Sequence, residues 1–249
     1  MHRAMKAVVT GIWTLLFLLG VFLPSLWAEA TEEILKKDFP SFVFDRVVPT
    51  AVKGIYAVIY AGQEVVYYVP EAGVLITGEM IAKGGVNLTD EVKSEIMTLH
   101  YKDIPLEKGL KIGTGKNTVV EITDPDCPYC RSGAQYFADR TDVTRYVFFW
   151  PLSPDSEQKV RHILCAKDRI KMYEEVMAGK YDEAGLTLCQ DPAVDSLMKD
   201  YHELGARIGM TGTPIYFVNG KSVRGANIPV IEGLLKGTQG PEPTKPPEK

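Results

Sequence analysis

The chain has 249 residues, 45% hydrophobic and 24% charged. That length allows one or two domains, and the balance is ordinary for a protein with a real core. A formal net charge of −4 argues against nucleic acid as a partner.

His2, Arg3 and Lys6 form a short basic region, and residues 7–23 form an apolar run that Pro24 and Ser25 interrupt. Ala28-Glu29-Ala30 fits a small-x-small cleavage site, so residues 1–30 read as a secretory signal peptide cut after Ala30. The alternative is an uncleaved membrane anchor, since the run approaches spanning length. Removing Arg3, Lys6 and Glu29 makes the mature chain one charge more acidic. Export places the cysteines where disulfides persist.

Residues 31–39 read as a short helix ended by Pro40. Strands are expected over 41–48, 54–60, 65–69 and 74–78, with a hairpin turn at Ala61-Gly62-Gln63-Glu64. This β-rich domain, 31–88, is small for a self-sufficient core. Its apolar residues lie on both faces, so it is expected to pack against the other domain or a second copy of itself, the reading adopted being a strand-edge dimer, with a sheet covered by its own N-terminal helix as the alternative. Thr89 caps a helix from 90 to about 101, and the segment 89–103, polar on most of its surface, reads as a linker between domains. Asn87-Leu88-Thr89 also matches a glycosylation acceptor.

The second domain is expected over 104–236. Residues 110–112 and 118–123 read as a hairpin around Gly113 and Gly115. A helix over 129–140 and a strand over 144–150 then complete a βαβ unit with a parallel sheet. A helical stretch covers 156–177, and another starts at Pro192 behind Asp191 as N-cap. A strand begins near Thr211-Gly212-Thr213-Pro214, turns at Asn219-Gly220, and leads to a last helix over 228–235 capped by Asn227. The proline-rich tail, 237–249, is expected to be disordered.

Between strand and helix stands Asp124-Pro125-Asp126-Cys127-Pro128-Tyr129-Cys130. A thiol at a helix N-terminus meets unpaired N–H groups and the positive end of the dipole. Such sites lower a thiol pKa from about 8.5 into roughly 3.5–7.5, which makes Cys127 the expected nucleophile. Cys130, one turn in, is close enough to close a ring onto it. C-x-x-C alone also serves zinc sites and structural disulfides. Haem attachment is excluded, because Arg131 stands where His is needed. With Cys127 and Cys130 paired locally, Cys165 and Cys189 are left for each other. That bridge would close a loop of about 25 residues and contribute roughly 3 kcal/mol. His100, His162 and His202 lack metal-ligand spacing. Glu121 reads as a solvent-facing strand residue, with a buried proton acceptor near Cys130 as the alternative.

C-x-x-C at a helix start, a βαβ unit and then Thr213-Pro214 opening an antiparallel strand follow the thioredoxin order. With export and an N-terminal β-rich domain added, the chain resembles the bacterial DsbC/DsbG thiol–disulfide isomerases. Leu164-Cys165-Ala166-Lys167-Asp168, Val176-Met177-Ala178-Gly179-Lys180 and Thr211-Gly212-Thr213-Pro214 carry the likeness further. The resemblance implies an α+β protein with a cystatin-like N-terminal dimerisation domain and a thioredoxin-like catalytic domain with a helical insertion. It implies a V-shaped periplasmic homodimer, Cys127 and Cys130 as catalytic pair, and a structural Cys165–Cys189 disulfide. Thr213, a cis Pro214 and Tyr129 would bind substrate. No cofactor or metal is implied. Misfolded exported proteins would be substrates, and a DsbD-like membrane reductase would restore the thiols. Pro128-Tyr129 inside the motif resembles DsbG rather than DsbC, which points to reduction of sulfenic acids as an alternative. A redox-independent chaperone is a third reading.

Overall fold

A computed structural model describes residues 23–183 and 185–237. The signal-peptide and tail expectations therefore fall mostly outside the described residues. Among those described, no helix is long and apolar enough to cross a membrane. The chain divides into two compact units between Glu79 and Met80.

In the first unit, α1 spans Leu23–Asp38. It starts earlier than the expected residue 31 and runs through Ala28-Glu29-Ala30. The strands β1 (Arg46–Pro49), β2 (Tyr56–Tyr60), β3 (Glu64–Val69) and β4 (Val74–Ile76) pair antiparallel in chain order. Ala61 and Gly62 both have positive φ, at 47° and 83°, as a tight hairpin turn requires. Leu35 of α1 packs with Val47, Val58, Val66 and Tyr68 in one core. One sheet face is thus covered by the chain's own helix, as the alternative to a strand-edge dimer had it. The Tyr68 hydroxyl donates to Asp38, which ties β3 to the helix end. Burial first, and that carboxylate second, push the Tyr68 hydroxyl up to about 12.

The second unit is built on a five-stranded sheet: β5 (Leu110–Ile112), β6 (Asn117–Thr123), β7 (Val143–Phe149), β8 (Ile215–Val218) and β9 (Lys221–Arg224), in the order β5-β7-β6-β8-β9. Only β6 and β7 are parallel. The expected β5–β6 hairpin does not form, because β6 is paired on both edges, by β7 and β8, and β5 pairs across β7 instead. Glycine permits the crossing: a Cβ on Gly115 would lie 2.0 Å from the Asp142 backbone.

The helices are α2 (Leu88–Thr98), α3 (Pro128–Phe137), α4 (Pro154–Cys165), α5 (Arg169–Met177), α6 (Pro192–Arg207) and α7 (Ile228–Leu235). The 156–177 stretch is thus two helices, parted where Asp168 caps the second. Asp191 and Asn227 cap α6 and α7 as expected. The segment expected to be a free linker belongs to this unit. Met97 of α2 is fully buried in the main core, and Ser222 of β9 hydrogen-bonds Thr98 Oγ1 and the Ser94 carbonyl. The helix covers an edge strand that would otherwise expose unpaired backbone groups.

Candidate functional site

The C-terminal ends of β6 and β7 lie side by side, and the loops leaving them meet at Asp124. Its buried carboxylate accepts the Asp126 amide at 2.6 Å and the Leu152 amide at 2.7 Å. One side chain thereby fixes both loops. The Cys127 amide donates to the Asp124 carbonyl at 3.2 Å, and the Arg131 amide to the Cys127 carbonyl at 3.1 Å. Cys127 is the N-cap of α3, with Pro128 at its first position. Proline there starts the helix at no hydrogen-bonding cost.

Cys127 is half-exposed and Cys130 buried, and neither is in a disulfide. The Cys127 sulfur donates to the Thr213 carbonyl at 3.5 Å, and the Thr213–Pro214 peptide is cis. The structure thus brings together Cys127, Cys130 and Thr213, with Pro214 buried behind them. Tyr129 lies on the surface at 70% exposure, beside the cysteines in sequence and available to a macromolecule. The exposed Leu152 sits on the neighbouring loop.

The two sulfurs differ in environment. Burial pushes the Cys130 thiol up to about 12. The Thr123 and Thr213 hydroxyls and the Asp124 amide, 3.4 Å from its sulfur, oppose that shift. The two hydroxyls exert a polar influence only, since neither completes a hydrogen bond. A nearby Cys127 charge raises the thiol further.

Below the pair lies a buried ion pair. Glu121 is fully enclosed; it accepts from Arg145 at 3.2 Å and from the Tyr173 hydroxyl at 3.0 Å. The expected solvent-facing glutamate is thus a core residue, because β6 is the central strand and helices cover both of its faces. Arg145 also lies 5.4 Å from the Phe137 and Tyr173 rings. Burial, then the Glu121 charge, holds the Tyr173 hydroxyl well above its ordinary range.

A polar cluster surrounds the loop before Cys127. Arg131 Nε donates to the Pro125 carbonyl at 2.6 Å, and its guanidinium pairs with both oxygens of Asp182 at 2.6 Å and with Asp126 at 3.3 Å. Lys159 pairs with Asp182 at 2.7 Å and also with Asp126. Sequence reasoning passed over Arg131, Lys159 and Asp182, whose spacing follows no motif. Cys165 and Cys189 form a disulfide with a Cα–Cα distance of 5.7 Å. Among the described residues, no group of His, Cys, Asp or Glu could hold a metal ion.

Two family models match the chain. The N-terminal domain of disulfide bond isomerase proteins covers residues 26–90, and a thioredoxin-like domain covers 110–231. A Bordetella pertussis protein described as a probable thiol:disulfide interchange protein DsbC is 29% identical over 208 residues, or 82% of this chain and 72% of that one. The Escherichia coli thiol:disulfide interchange protein DsbC is 28% identical over 190 residues, 73% of this chain and 76% of that one. A crystal structure of a disulfide interchange protein from Neisseria gonorrhoeae is 31% identical, covering 55% of this chain and 99% of that one, with a TM-score of 0.47.

Proposed function

The chain belongs to the DsbC/DsbG family of thiol:disulfide interchange proteins, and from that premise we propose that it rearranges wrong disulfides in exported proteins, with Cys127 as nucleophile. The observation that carries the assignment of roles is the asymmetry of the pair. One sulfur is half-exposed at a helix N-terminus and the other is sealed behind it.

The Cys127 thiolate attacks one sulfur of a substrate disulfide. That S–S bond breaks, a Cys127–substrate mixed disulfide forms, and the other substrate sulfur leaves as thiolate. If a second substrate thiol attacks the substrate sulfur, Cys127 is released and the substrate is isomerised with no net electron transfer. If Cys130 attacks Cys127 instead, a Cys127–Cys130 disulfide forms and the substrate gains two electrons. Burial holds Cys130 in its protonated form at neutral pH. A protonated Cys130 is slow to attack, which favours rearrangement over reduction. Thr213 and Tyr129 bind the extended substrate beside Cys127, and the cis Pro214 sets the Thr213 backbone that receives it. The Cys165–Cys189 bridge is structural.

Each reduction leaves the pair oxidised, so an external dithiol must restore it. In the periplasm, where we place the protein, a DsbD-like membrane reductase supplies those electrons. The family match over residues 26–90 supports a homodimer formed through the N-terminal domain. Sedimentation of the full chain tests it: a monomer at micromolar concentration would refute the dimer.

The deciding experiment is trapping. The Cys130→Ser variant should accumulate mixed disulfides with exported proteins and Cys127→Ser should not; absence of adducts in both refutes the mechanism. Pro128-Tyr129 between the cysteines supports a second reading, reduction of sulfenic acids on single cysteines. Comparing rates on a scrambled multi-disulfide protein and on a sulfenylated one separates the two. Full function in a variant lacking both Cys127 and Cys130 would instead leave a chaperone.

A further inference from the structure

Between α5 and α6 the described residues, 178–183 and 185–191, form neither helix nor strand. This strap is fastened to α4 at three places. Lys159 holds Asp182 at 2.7 Å. His162 Nδ1 accepts the Thr187 amide at 2.9 Å. Cys165 is bonded to Cys189. Residues 159, 162 and 165 recur every third position, so they share one face of the helix. Arg161 adds a hydrogen bond to the Cys189 carbonyl at 3.3 Å.

The strap's Asp182 also reaches the loop before Cys127. Its carboxylate takes both guanidinium nitrogens of Arg131, the residue after Cys130. Arg131 holds the Pro125 carbonyl, and Asp126 pairs with Arg131 and Lys159. The two residues preceding Cys127 are thus held by two cations, and Asp182 orients both. Those hydrogen bonds keep the Asp182 carboxyl well below the usual carboxylate range, Arg131 contributing more than Lys159. The cluster is partly exposed, where isolated ion pairs add little to stability. Its effect is on geometry and local charge.

We propose that Asp182 is a positioning residue for Cys127, and that the Cys165–Cys189 disulfide acts on the reaction through it by tethering the strap. The inference rests on the assignment of Cys127 and Cys130 as the reactive pair. Asp182 offsets Arg131 and Lys159. Without it, the loop carries more positive potential, which favours negative charge on Cys127, and only the reduced pair can carry that charge. The reduced form gains.

The test is equilibration of the full-length protein in glutathione buffers, followed by acid trapping and mass analysis of the peptides carrying each cysteine pair. In this reaction two glutathione thiols become one glutathione disulfide as the Cys127–Cys130 bond takes up two electrons. Asp182→Asn should shift the equilibrium toward the reduced pair by about threefold to tenfold. Asp182→Glu should return it to within about twofold of wild type. The Cys165→Ala/Cys189→Ala variant should shift it in the same direction. Adding Asp182→Asn to that variant should change it no further, since both act through one contact. An unshifted Asp182→Asn equilibrium overturns the proposal, even if the variant unfolds earlier in denaturant. So does a triple variant whose shift is the product of the separate shifts. A wild-type protein that forms no glutathione-dependent Cys127–Cys130 bond would refute the underlying assignment instead.

Discussion

The molecule contains two cysteine pairs whose backbone settings differ, and their chemistry differs accordingly. Cys127 and Cys130 lie on one helix turn, at the exit of the central strand, with one sulfur reachable and one buried. Cys165 and Cys189 come from a helix end and a strap, separated by 24 positions in sequence. A short ring at a helix N-terminus opens and closes with little movement of the backbone. A long-range bridge constrains the unfolded chain and gains from staying closed. On the proposed mechanism, identical side chains thus yield a reagent in one place and a tether in the other.

The comparison breaks most sharply at position 127. Cys127→Ser should lower disulfide isomerisation by at least about a thousandfold, because no other sulfur is placed to start exchange. The Cys165→Ala/Cys189→Ala variant should retain the rate to within about tenfold. Refolding of a scrambled disulfide protein measures both. Equal losses would show that the two pairs do not divide the work as described.

The next effect concerns what lies beneath each pair. The C-x-x-C turn stands over the enclosed Glu121–Arg145 pair, whereas the bridge lies near the surface. Glu121→Leu leaves Arg145 buried without its counter-charge, at an expected cost of about 3–5 kcal/mol. Denaturant unfolding checks this, and a loss under about 1 kcal/mol would mean that water reaches Arg145. Removing the Cys165–Cys189 bridge should cost somewhat less, about 3 kcal/mol for a loop of this length. A smaller gap still is expected for Gly133→Ala on α3. Its Cβ would fall 1.8 Å from the Tyr216 hydroxyl, and overpacking of this kind costs about 1–3 kcal/mol.

Much of this was legible in the sequence because it is local. The C-x-x-C turn, the Asp191 and Asn227 caps, the Asn219-Gly220 hairpin and the alternation of strand with helix each occupy a few adjacent residues. The errors were made at long range. Residues 110–112 and 118–123 look like a hairpin, yet strand pairing is decided by which edges are free, and β6 has none. Glu121 looks solvent-facing because a strand's second face is often wet, and its partner Arg145 lies on another strand. Asp182 carries no local signal at all. Its meaning comes from Arg131 and Lys159, 51 and 23 positions away.

The smallest effect near neutral pH separates the two sulfurs of the reactive pair. Cys130 is a buried thiol whose value is raised from 9.0 to about 12. In the unfolded chain it ionises near its ordinary value, so the folded state binds its proton more tightly. The stabilisation that follows is fully present below about pH 9 and is lost as pH climbs toward 12. Unfolding of the reduced protein should therefore change little from pH 6 to 8 on this account, and stability should decline above pH 9. On the proposed mechanism the same proton limits the reductive branch. Cys130 must ionise to resolve a mixed disulfide, so that step should quicken by close to tenfold per pH unit between 7 and 9. Stopped-flow release of substrate from a preformed Cys127 mixed disulfide measures it. A flat rate over that range would mean that Cys130 already holds its charge and that burial does not set its proton affinity.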